Sequence, residues 1–130
     1  MTSELSVTSR PGHAVLTLNR PERRNALSVG LRDEVSDALD ELADDESVKA
    51  VVVTGAGAVF SSGFDLREFD RAALDERFGR ALWASSDRFH RTVLCFPLPL
   101  VAAVNGPAVA GGFDLAVMCD LRVASTTARF

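Results

Sequence analysis

The chain has 130 residues, 47% of them hydrophobic and 25% charged, which is typical of one soluble globular domain. Its net charge of −4 argues against nucleic acid or an anionic membrane as a partner. The N-terminus lacks the basic and apolar stretches of a signal peptide, and prolines and glycines interrupt the apolar region from Val93 to Cys119. We therefore expect a cytoplasmic protein without a membrane span.

The first half of the chain predicts a hairpin, a helix and a buried strand. Two extended apolar segments, 5–8 and 14–18, flank an Arg-Pro-Gly turn, which is typical of a β-hairpin. Ser28 is placed to cap an amphipathic helix over about 29–43. The apolar run 50–54 shows no polar alternation, so it predicts a strand covered on both faces.

The second half continues the alternation of helices and strands. It predicts a helix over about 73–93, a strand over 100–104, a helix from Gly111 or Gly112 to about Met118, and a strand over 121–124. The resulting order, β-β-α-β-α-β-α-β, favours an α/β layered fold with a mostly parallel sheet.

The two cysteines, Cys95 and Cys119, both lie in apolar stretches of sequence. This predicts two buried thiols in a reducing compartment, and their spacing predicts no metal site.

Two glycine-bearing turns are the most informative features of the chain. One covers 60–66 and follows the strand at 50–54, and the other covers 105–114 and follows the strand at 100–104. If both turns face one point, they supply two fixed backbone N–H groups for one oxygen, which is how enzymes stabilise an oxyanion. The alternative is that these glycines only make compact strand-to-helix turns.

Four segments of the sequence, in order, resemble a known family. They are 16–21 with 25–28, then 51–55, 60–66, and 105–120. In these segments the chain is similar to the crotonase superfamily, the enoyl-CoA hydratases and isomerases. The resemblance implies a crotonase-like α/β fold, a spiral of β-β-α units. It also implies that residues 1–130 form one acyl-CoA-binding domain corresponding to the N-terminal half of a typical member.

The resemblance also implies a substrate and a mechanism. An acyl-CoA thioester would place its carbonyl oxygen between the backbone N–H groups of Phe64 and Gly111, which would stabilise the enolate of a hydratase or isomerase reaction. Coenzyme A is then part of the substrate, and no separate cofactor and no metal is implied. Full-length members of the family usually form homotrimers or hexamers.

Asp114 is the candidate acid or base. By resemblance it falls where hydratases carry one of two catalytic glutamates, and the second would fall just past Phe130. The alternative is that Asp114 is a first-turn acid that favours the helix dipole.

The resemblance further implies a set of residues near coenzyme A. They are Arg24, Ala26, Ser62, Gly63, Asp65, Leu66 and Arg67. Arg24 and Arg67, with Arg23 as a weaker candidate, suit phosphate groups, although arginines in such places are often simply solvated.

Several other interpretations stay open at this point. Phe64 after a glycine resembles the aryl-CoA dehalogenases of the same superfamily and hints at an aromatic or bulky acyl group. His90 is either a general base or, more simply, a structural histidine. The chain is alternatively a truncated, catalytically silent fragment that binds coenzyme A or contributes to oligomerisation.

Overall fold

A computed structural model describes residues 3–130. These residues form five strands, four α-helices and one 3-10 turn. The strands are β1 (Leu5–Arg10), β2 (His13–Leu18), β3 (Ala50–Gly55), β4 (Leu100–Val104) and β5 (Leu121–Ala124). The helices are α1 (Val29–Ala43), α2 (Leu66–Leu74), α3 (Glu76–Leu94) and α4 (Gly111–Met118), and the 3-10 turn covers Pro21–Arg23.

The five strands make one sheet in the order β1-β2-β3-β4-β5. The β1–β2 hairpin is antiparallel, and the remaining three pairs are parallel. This confirms the expected α/β class with a mostly parallel sheet. Because parallel strands end at the same edge of a sheet, the glycine turns that follow β3 and β4 are brought side by side.

Helix α1 follows the sequence pattern closely. Ser28 caps it, with its Oγ accepting a hydrogen bond from the Leu31 N–H at 3.0 Å. Leu31, Val35 and Leu39 lie on one face and are fully buried in the core. The predicted bounds of 29–43 are therefore confirmed.

The helix predicted over 73–93 corresponds to α3, which begins at Glu76, whereas the helix that precedes it, α2, was not predicted. Asp75 adopts an extended conformation that ends α2, and its Oδ1 then caps α3 by accepting from the Phe78 N–H at 3.1 Å. Helix α2 has no buried residue, and its terminal Leu66 and Leu74 are 75% and 92% exposed. Leu66, Phe69 and Ala73 of α2 do lie at helical spacing, but the helix is short and directly follows the first glycine turn, and no helix was predicted for it.

Burial also differs from expectation at two places. Val51 and Val53 of β3 are buried, but Val52 and Thr54 on the other face are only half-buried, so the strand is not fully covered on both faces. Cys119 is buried, and burial raises the pKa of its thiol to about 12. Cys95 is exposed at the end of α3, so the prediction of two buried thiols is wrong for this residue.

The far edge of the sheet is apolar and open. All four residues of β5 are exposed, including Leu121 and Val123. Phe113 and Phe130 are also exposed, and their rings meet edge to face with centroids 6.0 Å apart. None of the helices within residues 3–130 is both long and apolar enough to cross a bilayer.

Candidate active site

The two glycine turns are bonded directly to each other. The Phe60 N–H donates to the Pro107 carbonyl at 3.0 Å, and the Val109 N–H donates to the Ser61 carbonyl at 3.1 Å. Ser61 and Ala108 form an isolated parallel bridge between these bonds. The turns therefore continue the pairing of β3 and β4 beyond the ends of the strands, and neither turn can move without the other.

A third segment, 24–27, lies along the first turn. The Ser62 N–H donates to the Arg24 carbonyl at 3.0 Å, and the Leu27 N–H donates to the Gly63 carbonyl at 2.8 Å. Arg24 and Asn25 both have φ of 53°, in the left-handed region where asparagine is among the better tolerated residues. The buried Asn25 side chain donates to the Ala56 carbonyl at 2.9 Å, so it locks this segment onto the loop after β3.

Gly63 and Gly112 are required by the contact between the turns. Gly63 has φ of +92°, and a Cβ built on it would lie 2.8 Å from the Gly111 nitrogen. A Cβ on Gly112 would lie 2.2 Å from the Ser61 carbonyl oxygen. The interpretation that the glycines allow compact packing therefore holds for both residues. That packing also brings the Gly63–Phe64 peptide close to Gly111.

The orientation of two backbone N–H groups at this junction is fixed by hydrogen bonds that the carbonyl groups of the same peptides accept. In a trans peptide the C=O and N–H point in opposite directions, and no cis peptide occurs within residues 3–130. The Gly63 carbonyl accepts from the Leu27 N–H, so the Phe64 N–H points the other way. The Ala110 carbonyl accepts from the Asp114 N–H at 3.0 Å, which fixes the Gly111 N–H in the same manner. Within the described residues, neither the Phe64 N–H nor the Gly111 N–H donates a hydrogen bond to the protein.

Ala110 holds a strained conformation at this point. Its φ of 50° and ψ of −125° fall in a region that residues with a Cβ rarely adopt. It immediately precedes α4 and supplies the peptide that carries the Gly111 N–H. Such strain is found where the surroundings over-determine the backbone, often at functional sites.

The residues at the junction of the two turns line two adjoining cavities. The first, of about 320 Å³, is lined by Ser62, Phe64, Leu66, Phe69, Ala110, Gly111 and Asp114. The second, of about 300 Å³, is lined by Arg23, Arg24, Ala26, Ser62, Phe64, Asp65, Leu66 and Arg67. The structure thus brings the three predicted catalytic positions to one cavity, and every predicted coenzyme A residue except the buried Gly63 to its neighbour.

An aromatic cluster backs the first cavity. The Phe64 ring stacks on Phe69 with centroids 6.3 Å apart and meets His90 edge to face at 6.1 Å. The His90 Nδ1 lies 2.7 Å from the Ser86 carbonyl, to which it donates. His90 is half-buried and does not line the cavity, so its place in the structure fits the structural interpretation better than that of a general base.

The second cavity contains an ion-pair network. The Asp65 carboxylate is only 8% exposed and lies 3.0 Å from the Arg67 Nη2 and 3.3 Å from the Arg20 Nη2. Hydrogen bonding from Arg67 is the main reason that the Asp65 pKa lies below its usual value. Arg20 also donates to the Ala26 carbonyl at 2.7 Å. Sequence reasoning missed Arg20, because nothing in its local pattern distinguishes a buried arginine from a solvated one.

Asp65→Asn is expected to destabilise the chain by about 2–3 kcal/mol, because among residues 3–130 it leaves the buried Arg20 with only the more exposed Glu4, 3.4 Å away, as an anionic partner. Asparagine keeps the cap on the Arg67 N–H, so the change tests charge alone. Because the folded-state pKa of Asp65 is lowered, its stabilisation is full above the unfolded value near 3.9 and is lost as pH falls through the folded value.

Urea unfolding of both forms between pH 7 and pH 2 measures this effect. The gap in unfolding free energy should be largest near neutral pH and should close in acid. Asp70→Asn, at an exposed position of the same helix, is the control and should change stability by less than about 0.5 kcal/mol. A gap of the same size at every pH would contradict this assignment.

The fold and the site together define the class of protein: an α/β domain in which two glycine turns converge at one edge of a parallel sheet beside an apolar cavity. The chain belongs to the enoyl-CoA hydratase/isomerase family, which matches residues 9–130.

Individual relatives agree with this assignment. The chain is 48% identical over 122 residues to a putative enoyl-CoA hydratase of Thermus thermophilus, covering 91% of this chain and 47% of the relative. It is 40% identical to the 2,3-dehydroadipyl-CoA hydratase of Escherichia coli, covering 98% of this chain and 49% of the relative.

Solved structures are similar as well. An enoyl-CoA hydratase/isomerase from Xanthobacter autotrophicus superposes with a TM-score of 0.88 at 39% identity, covering 98% of this chain and 48% of that chain. The chain therefore spans about half the length of the relatives it matches.

Proposed function

We propose that this chain binds an acyl-CoA thioester and polarises its carbonyl group for hydration or isomerisation of an enoyl group. The observation that carries the proposal is the pair of undonated N–H groups, of Phe64 and Gly111, on two mutually bonded turns at one cavity wall. The thioester oxygen would accept from both.

The chemistry follows from where charge develops. When a water oxygen adds at Cβ of an enoyl thioester, the water gives one proton to a base, electrons move through the Cα–Cβ double bond onto the carbonyl oxygen, and Cα then takes up a proton. Donors held in place before the reaction stabilise that enolate more than the neutral thioester, and each is worth roughly 3–4 kcal/mol of barrier. Because each peptide's carbonyl already accepts a hydrogen bond, its N–H is polarised as well as oriented.

In this proposal the acyl group and the coenzyme A part of the substrate lie in different cavities. The acyl group lies against Phe64, Leu66 and Phe69 in the first cavity. Coenzyme A extends into the second, where Arg24 and the Asp65-anchored Arg67 are available for its phosphates. The reaction moves water and protons only, so it calls for no redox cofactor, and coenzyme A enters as part of the substrate.

Asp114 is the proposed acid or base on the cavity wall. It lies one helical turn beyond Gly111, and its side chain is exposed to the first cavity. It is the single carboxylate among the seven residues that line this cavity. This observation favours a second candidate, in which the 130-residue chain binds and polarises the thioester without turning it over.

Asp114→Ala is expected to lower crotonyl-CoA hydration by at least roughly 100-fold, because general acid–base groups contribute about that much or more. Coenzyme A binding, measured by calorimetry, should be unchanged. Asp87→Ala, at an exposed position of α3, should alter neither quantity.

Three results separate the candidates. Hydration by the unsubstituted chain with loss in Asp114→Ala supports the enzyme. Binding without turnover by either form overturns the catalytic proposal and supports the polarising module. Absence of acyl-CoA binding by the unsubstituted chain contradicts both.

A further inference from the structure

Arg32 is a charged residue in the middle of the core. It lies on α1 and is only 1% exposed. Its Nη1 donates to the Leu27 carbonyl at 2.6 Å and its Nη2 donates to the Leu82 carbonyl at 3.2 Å, while Nε has no hydrogen-bond partner in the described part of the chain. Burial lowers the pKa of Arg32, although nearby Glu68 acts in the opposite direction. Burial of a guanidinium group in this way costs desolvation free energy.

The guanidinium holds the side chain of Phe64. Its Cζ lies 4.4 Å from the centroid of the Phe64 ring, within the range of a cation–π interaction. Shielding from water makes this interaction stronger than it is at an exposed site. The Phe64 ring also stacks on Phe69, which lines the first cavity.

The guanidinium also holds the main chain before Phe64, through Leu27. The Leu27 carbonyl accepts from Arg32, and the Leu27 N–H donates to the Gly63 carbonyl at 2.8 Å. That carbonyl belongs to the Gly63–Phe64 peptide, whose N–H faces the other way. Arg32 therefore acts on Phe64 at two points. It contacts the ring directly, and through Leu27 it is connected to the carbonyl oxygen of the Gly63–Phe64 peptide.

We propose that Arg32 is a positioning residue for the first oxyanion donor: it fixes the direction of the Phe64 N–H without touching the substrate. The inference rests on the proposed function, because it assigns Arg32 to the same site. It predicts that Arg32 matters more for carbonyl polarisation than for stability, since Arg32→Met relieves the desolvation of a buried charge while it removes two hydrogen bonds, and these two effects on stability oppose each other.

Arg32→Met tests the inference with cinnamoyl-CoA as the probe, because polarisation of a conjugated thioester carbonyl shifts its absorption to longer wavelength. The variant should bind cinnamoyl-CoA within about threefold of the unsubstituted chain but lose most of the red shift. Its Leu27 amide should exchange with solvent about tenfold faster, as expected for loss of roughly 1.4 kcal/mol of local protection. Arg32→Lys keeps the charge and should restore part of the shift.

Arg88→Met is the matched control. Arg88 also connects α3 to α1, but its guanidinium is exposed and pairs with Asp37 and Asp40 rather than with Phe64 or Leu27. It should leave the red shift and the Leu27 exchange rate unchanged.

The outcomes distinguish a failure of this inference from a failure of the proposed function. A red shift in the unsubstituted chain that persists fully in Arg32→Met, with unchanged Leu27 exchange, overturns the role of Arg32 alone. No red shift in the unsubstituted chain overturns the proposed function and this inference with it. If Arg32→Met does not fold, Leu27 exchange in Arg32→Lys decides, and an unchanged rate counts against the inference.

Discussion

Gly63→Ala is expected to reduce the turnover of an enoyl thioester by roughly 100- to 1,000-fold. This is the typical cost of losing one oxyanion donor. The added methyl group would lie 2.8 Å from the Gly111 nitrogen, directly against the second proposed donor. It would also impose φ of +92° on a residue with a Cβ, which forces the adjoining Phe64 peptide to rotate. Steady-state kinetics should show the loss mainly in kcat, since the donors act chiefly on the transition state.

Gly12→Ala separates the effect of backbone strain from the effect of the steric contact with the Gly111 nitrogen. Gly12 has a similar φ of +80°, but a Cβ on it would meet nothing within 4 Å. This variant should be destabilised by about 1 kcal/mol with unchanged kinetics. If Gly63→Ala were no worse than Gly12→Ala in turnover or carbonyl polarisation, the Gly63–Phe64 peptide would have no part in the reaction.

Gly112→Ala is expected to cost about 3 kcal/mol or more in unfolding free energy. Its Cβ would lie 2.2 Å from the Ser61 carbonyl oxygen, which is main-chain and already accepts from the Val109 N–H. Neither partner can move aside as a flexible side chain would, so the two turns must separate. Thermal and urea unfolding measure the loss, and thioester polarisation should fall along with stability.

The matched comparison is Gly79→Ala in the interior of α3. There the new Cβ would meet its nearest neighbour, the Ala72 carbonyl oxygen, at 3.4 Å. Because alanine is the better helix former, this variant should be as stable as the unsubstituted chain or up to about 1 kcal/mol more stable. Equal stability changes for Gly112→Ala and Gly79→Ala would contradict the tight junction between the turns.

Sequence reasoning found the elements that bury an apolar face. Helix α1 shows its core at helical spacing, and β3 and β4 show apolar runs that end in glycine turns. It raised the possibility that the two turns face one point, and the structure brings them together because parallel strands of one sheet end at one edge. Helix α2 was not predicted, although Leu66, Phe69 and Ala73 lie at helical spacing, because it is short and directly follows the first glycine turn. Asp75, which separates α2 from α3, was included in the helix predicted over 73–93.

The supporting residues of the site could not be found in the sequence. Arg32 lies in a helix, where an arginine is usually solvated, and only the folded chain shows that it reaches Phe64 and Leu27. Asn25 and Arg20 likewise make their hydrogen bonds to residues distant in sequence. Local patterns contain no signal for such long-range partners. The strain at Ala110 is equally hidden, since nothing about an alanine predicts positive φ.

The most direct test of the whole account is a nuclear magnetic resonance titration of the 15N-labelled chain. Its Phe64 and Gly111 amides would be followed during addition of an acyl-CoA thioester, and then of the matching S-alkyl-CoA thioether, which lacks the carbonyl oxygen. The account predicts that both amide protons shift downfield together with the thioester and stay near their free positions with the thioether. Equal shifts with the two ligands, or a shift of one amide alone, would contradict the claim that both N–H groups bind one oxygen.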